Sequence, residues 1–519
     1  MDRKPADKPV YVQNFTKPAN TEIKHISGHW YLYERKNIYD PAIKRSRKKS
    51  GKCLGSITES GFIPSKAGRE HGLNDVVEAG AVNYFYQQTE GLRLRLKKHF
   101  PDLWVRIYTT TLIRTIYDTR FRRLQLHYED SILSHLYPDI SFSPPSTSAF
   151  LKILGRERQA IRAFMRESIA EQDRFIIFDG HRLLSASHTM DNAEVGYDSK
   201  KRYKPQINLL YMFSLGPNTG CPVYYKQYLG STPDVTAFAD IMKESGAHGE
   251  DCIVVADKGF GSQESFSLLE ESCLNYVIPL KRGNSYVSGR IPSSPTGYDT
   301  AFSFNGRAIL CATFHEEGFD IHLYLDTSLL AEEAADLTKR TERRNNSADL
   351  AKGKELKRRE SGKARLTDEE LKKLEPLTIK DVFPNHQEMG TITLKTNCTN
   401  LNCFQVYSIY KQRQAVEQFF KTYGDTMENE ASYMRDNYSE EAWLFLNHLS
   451  GMIGVDAIEH IASIGESQNI SLKDLIQTLV KIKATLSDGV WSVHPVKHSV
   501  QMLCSKMGID ATSLAGIGL

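Results

Sequence analysis

The stretch CIVVADKGFGS, residues 252–262, decides the fold class because a short apolar run ends in a charged residue. Ile253 through Ala256 have the apolar, partly β-branched character of a buried strand, and Asp257 follows directly. A carboxylate at the edge of a core is costly unless a positive group or a cation lies next to it. The stretch therefore predicts a central strand whose end carries a compensated charge.

The residues around this stretch predict an α/β fold. Three apolar runs precede this stretch and one follows it, and one helix is predicted before it and one after it. The predicted strands are RFIIFDG, QINLLYMFSLG, CPVYYKQYLG, CIVVAD and NYVIPLK. The predicted helices are TPDVTAFADIMKESG and SQESFSLLEESC. The first three strands predict an antiparallel meander, and right-handed crossovers make the last strands parallel. This is the strand order of ribonuclease-H-like folds, in which the first and fourth strands are neighbours.

A second aspartate, Asp179, follows the apolar run Phe175–Phe178 just as Asp257 follows its own run. If the two strands are neighbours, the carboxylates approach each other and repel, and a divalent cation such as Mg²⁺ is the natural compensation. The alternative is that each aspartate only caps a turn at a strand end.

A third carboxylate, Glu417, lies in the predicted helix YSIYKQRQAVEQFFK, residues 407–421. A rotation of about 100° per residue places Tyr410, Glu417 and Lys421 in one stripe, with Arg413 about 60° to one side. Such a helix can pack by its apolar face and present these groups beside it. The alternative is an ordinary surface ion pair between Arg413 and Glu417.

With these residues, the sequence resembles the DDE transposases of bacterial and archaeal insertion sequences. Tyr410, Arg413 and Glu417 match the Tyr-x2-Arg-x3-Glu signature of one group, and the segments YDSKKRYKPQINLLYMFSL, GCPVYYKQYLGSTPD, VADKGFGS and NYVIPLKR also match. The resemblance runs from about residue 25 to the C-terminus. It departs from the pattern at DGHRLL after the first aspartate, and at Gly424, where a basic residue usually closes the signature.

The resemblance implies a ribonuclease-H-like catalytic core that uses two Mg²⁺ or Mn²⁺ ions to cut and join DNA. Asp179 would bridge both ions, and Asp257 and Glu417 would each complete one. Arg413 and Tyr410 would hold DNA phosphates, and Lys421 and Lys258 are further phosphate-binding candidates. The implied partners are the terminal inverted repeats of the element and the target DNA, which a homodimer or higher assembly would pair.

The organisation of the chain predicts six segments around this core. They are a basic strand and loop arm (1–70), a helical, DNA-binding domain (71–172), the first part of the core (173–283), a strand-rich insertion (284–395), the last part of the core with the Glu417 helix (396–460) and a helical C-terminal region (461–519).

Composition narrows the setting of the protein. The chain has 519 residues, a net charge of +3, 40% apolar and 25% charged residues, which is ordinary for a globular protein. Its eight cysteines are too few for a disulfide scaffold, and no segment has the length and hydropathy of a membrane span or signal peptide. We therefore expect a cytoplasmic, nucleoid-associated protein with no membrane partner.

A cluster of cations lies in the N-terminal arm, at Lys44, Arg45, Arg47, Lys48 and Lys49, with no acidic residue among them. Clustered cations bind nucleic acid by releasing its counterions, so the cluster is a candidate DNA contact. The alternative is a solvated hairpin tip or loop.

Two other functions are compatible with the sequence. One is a stand-alone metal-dependent nuclease of the same fold, which would cut DNA without strand transfer. The other is an inactive, transposase-derived DNA-binding protein, although such a protein has no need for three converging carboxylates.

The cation cluster gives a test of its own. Replacing Lys44, Arg45, Arg47, Lys48 and Lys49 with glutamine should weaken DNA binding and reduce the slope of log K against log salt by about 0.9 for each DNA phosphate that is no longer neutralised. Glutamine at five lysines of the charged stretch 331–376 (Lys339, Lys352, Lys354, Lys357 and Lys372) is the matched control and should leave the slope unchanged. Equal slopes for wild type and the arm variant would indicate that the cluster does not contact DNA and is only a solvated loop.

Overall fold

The computed structural model describes most of the chain. The described residues are 8–26, 28–40, 45–65, 76–170, 175–185, 187, 189–196, 204–215, 220–246, 253–383, 386–413, 431–487, 489–510 and 512–518. Among the helices of this part, none is long and apolar enough to cross a membrane.

The chain alternates between strand-rich and helical segments. The strands are β1 Thr21–Ile26, β2 His29–Asp40, β3 Arg45–Thr58, β4 Gly61–Pro64, β5 Val76–Glu78, β6 Phe175–Ser185, β7 Glu194–Val195, β8 Pro205–Leu215, β9 Gly220–Leu229, β10 Ile253–Val255, β11 Asn275–Leu280, β12 Thr300–Phe304, β13 Arg307–Glu316, β14 Phe319–Asp326, β15 Thr391–Thr396, β16 Ala431–Ser432, β17 Lys483–Ser487 and β18 Val490–Val493. The helices are α1 Val10–Gln13, α2 Gly80–Gln88, α3 Glu90–His99, α4 Trp104–Tyr117, α5 Leu124–Glu129, α6 Leu133–Leu136, α7 Pro144–Arg156, α8 Arg158–Ala170, α9 Asp234–Ser245, α10 Gln263–Glu271, α11 Thr327–Glu360, α12 Asp368–Lys372, α13 Ile379–Val382, α14 403–413, α15 Asn437–Ser463, α16 Leu472–Leu479 and α17 His498–Lys506.

These elements form two compact units. The first consists of Met1–Gln87, Arg123–Phe142 and Leu475–Leu519, and the second of Gln88–Arg122 and Ser143–Asp474. In the first unit, β1 to β4 form an antiparallel meander, and β5, β17 and β18 form a second, small sheet. Val12 of α1 is buried with Trp30, Leu32 and Ile57 of the meander, so this sheet has a small apolar core of its own.

The second unit is built on a large sheet with the order β12-β13-β14-β15-β11-β10-β6-β8-β7, in which β9 pairs with β8 and β16 pairs with β6. Its centre has the order β9-β8-β6-β10-β11: the first three strands are antiparallel neighbours, and β6, β10 and β11 are parallel. The expectation that the first and fourth of these strands lie side by side is confirmed. The α/β class follows from the helices α9 and α10 that connect β9, β10 and β11.

Local signals set the limits of these connecting helices. Helix α9 ends at Ser245 because Gly246 follows with a left-handed φ of 73°, which glycine adopts without steric cost. Helix α10 begins after Ser262, whose side chain accepts a hydrogen bond from the backbone N–H of Ser265. The helix that follows β10 therefore begins only a few residues after Asp257.

The strands between residues 300 and 396 continue the central sheet. Strand β15 pairs antiparallel with β11 on one side and with β14 on the other, so the segment expected as an insertion subdomain shares its sheet with the core strands. The 34-residue helix α11 follows β14 directly in the chain. Most of its surface is exposed, as the many charged residues of this segment predict.

Helix α15 is buried along most of its length and contacts α7 at Gly155, which lies in the last turn of α7. A Cβ atom at Gly155 would overlap the backbone carbonyl of Tyr438, a group that cannot rotate away. The absence of a side chain at this glycine therefore sets how closely the two helices approach.

Gly155→Ala should lower the free energy of unfolding by about 1–3 kcal/mol, because the added methyl forces α7 and α15 apart. Gly353→Ala is the matched control: it lies inside α11 with open space around it, and it should raise the free energy of unfolding by up to about 1 kcal/mol. Urea denaturation measures both. A stabilising effect at Gly155 would contradict the close helix contact.

Candidate active site

Asp257 lies just beyond the end of β10, where the chain leaves the sheet. Strand β10 ends at Val255, and Asp257 caps a short 3-10 helix that spans Lys258–Phe260. The carboxylate Oδ1 accepts a hydrogen bond from the backbone N–H of Lys258 at 2.7 Å. The buried strand therefore ends in a carboxylate that is held against the following turn.

The charge of Asp257 is compensated by an arginine from 156 residues further along the chain. Nη1 of Arg413 donates to Oδ1 of Asp257 at 2.8 Å, with side-chain exposures of 16% for the arginine and 44% for the aspartate. Because the aspartate is this exposed, the pair itself contributes only about 0.2–1 kcal/mol. Its main consequence is positional, since it fastens α14 to the end of β10.

Asp179 is placed by strand register. Strands β6 and β10 are parallel, with Ile253 opposite Phe175 and Val255 opposite Ile177. Two residues beyond that last pair, the chains reach Asp257 and Asp179. The backbone of Asp179 pairs with Tyr211 of β8, and its side chain lies outside the described residues.

Strand β6 does not end at Asp179, although the apolar run does. It continues to Ser185 because its other edge stays paired with β8 as far as Leu184 opposite Gln206. The neighbouring β10 stops at Val255, so Asp179 lies where one neighbour of β6 ends and the other goes on.

A cluster of aromatic rings holds α14 against the strands of residues 300–326. Ring centroids of Tyr407 lie 4.8 Å from Tyr324, 5.2 Å from Phe304 and 5.7 Å from Phe302. The hydroxyl of Tyr324 also donates to the carbonyl of Cys403 at 2.8 Å, at the first turn of the helix. Such pairs add to apolar burial. Sequence reasoning missed this cluster, and its only signal was the aromatic residues at alternate positions of β12.

Glu417 and Lys421 lie outside the described residues, as does Lys44. The segment that contains Glu417 is bounded on one side by Arg413 at Asp257 and on the other by β16, whose Ala431 pairs with Leu184 of β6. Both ends of the segment are therefore attached close to strands β6 and β10.

The other predicted DNA contacts have different surroundings. Tyr410 is half-buried on α14, and Lys258 is exposed in the turn after Asp257. Arg45, Arg47, Lys48 and Lys49 lie in strand β3 of the first unit, where the backbone of Arg45 pairs with Asp40 of β2. Four of the five cations of the cluster thus lie on a paired strand, and the fifth, Lys44, lies outside the described residues.

The donor set at Asp257 suits a hard divalent cation. Both hydrogen bonds that the described residues make to this carboxylate go to Oδ1, which leaves Oδ2 as an oxygen ligand of the kind that Mg²⁺ prefers. No three His, Cys, Asp or Glu side chains of the described residues come together at metal-binding distance. The carboxylates of Asp179 and Glu417, two of the three that were predicted, are not among these side chains because they lie outside the described residues.

A comparison with protein families identifies the class of the protein. The family model described as the transposase DDE domain matches residues 170–451, more than half of the chain, from just before β6 into α15. The chain belongs to this family. It is therefore a transposase in the general sense, a DNA-processing protein of a class that uses divalent metal ions. No curated protein matches the sequence.

The ion pair between α14 and the sheet can be tested by a double-mutant cycle with Arg413→Gln and Asp257→Asn. Each single variant should speed amide hydrogen exchange in 403–413 by up to about fivefold, because the helix loses one anchor worth about 0.2–1 kcal/mol. The double variant should exchange no faster than the singles, since both remove the same interaction. Fully additive effects would contradict the pair.

Proposed function

We propose that this protein cleaves DNA at the ends of an insertion element and transfers the resulting ends into target DNA. The observation that carries the proposal is the ion pair between Arg413 and Asp257. It joins the helix of the Tyr-x2-Arg-x3-Glu signature to the strand end with the second carboxylate, although the two are far apart in sequence.

The strand order supports a ribonuclease-H-like core. Such a core needs three antiparallel strands followed by two parallel ones, with the first strand central, and β9-β8-β6-β10-β11 has this order. The first carboxylate would then stand on the central strand, and the second on its parallel neighbour.

The three carboxylates proposed as catalytic are those of Asp179, Asp257 and Glu417. The register of β6 and β10 supports the first two, since both backbones lie two residues beyond the same strand pair. Glu417 follows Arg413 by four residues, and four residues span at most about 14 Å, so its backbone is within reach of Asp257.

These carboxylates would hold two Mg²⁺ or Mn²⁺ ions, with Asp179 shared between them. When bound, the ions supply an activated nucleophile and neutralise the charge that develops on the phosphate. The side chains proposed to bind DNA would orient the scissile phosphate: Arg413 through its fork of donors, and Tyr410, Lys421 and Lys258 as further contacts. Arg413 would then exchange Asp257 for a phosphate oxygen, or bind both.

The proposed reaction has two steps. In the first, a water oxygen attacks the phosphorus at the end of the element, and the bond to the 3′-oxygen breaks to release a 3′-hydroxyl. In the second, that hydroxyl attacks a phosphodiester of the target, and a new bond joins element to target while a target 3′-hydroxyl leaves. Two ends must be paired for this, so we propose a dimer or larger assembly on DNA, in the nucleoid.

Neutralising the carboxylates tests the assignment. Asp179→Asn, Asp257→Asn and Glu417→Gln should each slow Mg²⁺-dependent cleavage of the element's terminal repeats by about a thousandfold, equivalent to about 4 kcal/mol of transition-state stabilisation. DNA binding should stay within a few-fold of wild type. Asp349→Asn, at an exposed position of α11, is the control and should cleave normally. A fully active Asp257→Asn variant would remove Asp257 from the site.

A joining assay separates a transposase from a nuclease of the same fold. Duplexes with pre-cut 3′-hydroxyl ends are mixed with a target plasmid, and joined products are counted. Joined products that disappear in Glu417→Gln support strand transfer, whereas cutting of uncut ends without any joining would favour the nuclease. End binding with neither reaction would identify an inactive DNA-binding protein.

A further inference from the structure

Lys395 is a buried lysine in the middle of the central sheet, outside the proposed catalytic set. It lies in β15, opposite Ile278 of β11 and Ile321 of β14, and only 2% of the residue is exposed. Interior strand positions of this kind normally carry apolar side chains, and lysine is almost never this deeply buried unless it is paired.

Aromatic rings surround the amino group of Lys395. Its Nζ lies 4.1 Å from the ring centroid of Phe266 and 4.0 Å from that of Phe319, with Tyr286 and Tyr276 at 5.6 and 5.8 Å. Burial lowers the pKa of this lysine, and the charge of Glu270 acts in the opposite direction. The rings stabilise a cation through their faces but accept no conventional hydrogen bond.

The three N–H donors of this ammonium have no acceptor in the described part of the chain. No carboxylate, carbonyl or hydroxyl oxygen there forms an ion pair or hydrogen bond with Nζ. The amino nitrogen itself is not fully enclosed, so an acceptor oxygen from outside the protein can reach it and form the hydrogen bonds that the described residues do not supply.

A cavity of about 470 Å³ opens beside this amino group. Lys395, Tyr286 and Phe319 line it together with two carboxylates, those of Glu270 and Glu317, which belong to exposed residues. Glu270 uses Oε1 to accept the hydroxyl of Tyr276 at 3.0 Å. The cavity thus has a buried positive charge inside and negative charges toward solvent, within the size range of small-molecule sites.

We propose that this cavity binds a small zwitterion, with an anionic oxygen on Lys395 and an amino group toward Glu270 and Glu317. The positive charge inside the cavity and the negative charges at its mouth favour a zwitterion over a simple anion or a simple cation. A simple anion would meet two carboxylates on its way in, and a simple cation would leave the ammonium of Lys395 without an acceptor and face its charge. The aromatic walls suit the short carbon chain between the two charged groups.

The test compares three sets of probes at constant ionic strength, measured by their effect on Tm of the full chain. The zwitterions are glycine, β-alanine and γ-aminobutyrate, which bracket the charge spacing; the half-probes are acetate, propionate and butyrate, and methylamine, ethylamine and butylamine. At least one zwitterion should raise Tm by about 1–2 °C at a concentration tenfold above its Kd, and by more at higher concentrations. Its half-probes should have no comparable effect.

Variants locate the effect. Lys395→Met keeps the length of the side chain without its charge and should abolish the response, while Lys372→Met, at an exposed lysine, should keep it. Glu270→Gln should weaken the response at least tenfold in apparent Kd, while Glu271→Gln, its exposed neighbour outside the cavity, should not. If Lys395→Met does not fold, the comparison of Glu270→Gln with Glu271→Gln decides whether the ligand binds in this cavity.

Three results would overturn the proposal: no response of wild type to any zwitterion, an equal response to the carboxylate half-probe, or an undiminished response in Lys395→Met. DNA cleavage and end binding do not enter this readout, so its outcome is independent of the catalytic proposal.

Discussion

The register between the parallel strands β6 and β10 is the constraint on which the candidate active site depends. Val255 lies opposite Ile177, and two residues further along each chain come Asp257 and Asp179. A shift of one residue in this register would bring the backbone of Asp257 level with a different residue of β6. Ile177, Val254 and Val255 are fully buried. The burial of these apolar side chains fixes the register, because a change of register would move some of them out of the core. Packing of the core thus determines how the backbones of the two aspartates lie relative to each other.

A second constraint brings the distant signature helix to this edge. The strands of residues 300–326 extend the sheet and supply the rings that Tyr407 packs against, and Arg413, the last described residue of the same helix, pairs with Asp257. The long segment between β11 and α14 is therefore more than a spacer. It builds the surface on which the helix lies, and the helix direction follows from two anchors about two turns apart.

The central part of the fold was predictable because its signals are local. Apolar runs identified five strands, Gly246 ended one helix, and Ser262 capped the next. The neighbouring positions of β6 and β10 followed from the strand order, but other long-range pairings were not predictable. The extension of β6 beyond Asp179 depends on β8, and the place of β15 beside β11 depends on residues more than 100 positions apart. The pairing of Arg413 with Asp257, and the rings around Lys395, likewise have no local signal in sequence. The meeting of the Glu417 carboxylate with the two aspartates stays a prediction.

Anomalous X-ray scattering from crystals grown with Mn²⁺ tests the central claim, the convergence of the three carboxylates on bound cations, most directly. The account predicts anomalous peaks at the end of β10, within about 2–2.5 Å of carboxylate oxygens from Asp179, Asp257 and Glu417. Peaks elsewhere on the protein, or a Glu417 carboxylate too far away to bind an ion directly or through one water, would contradict it.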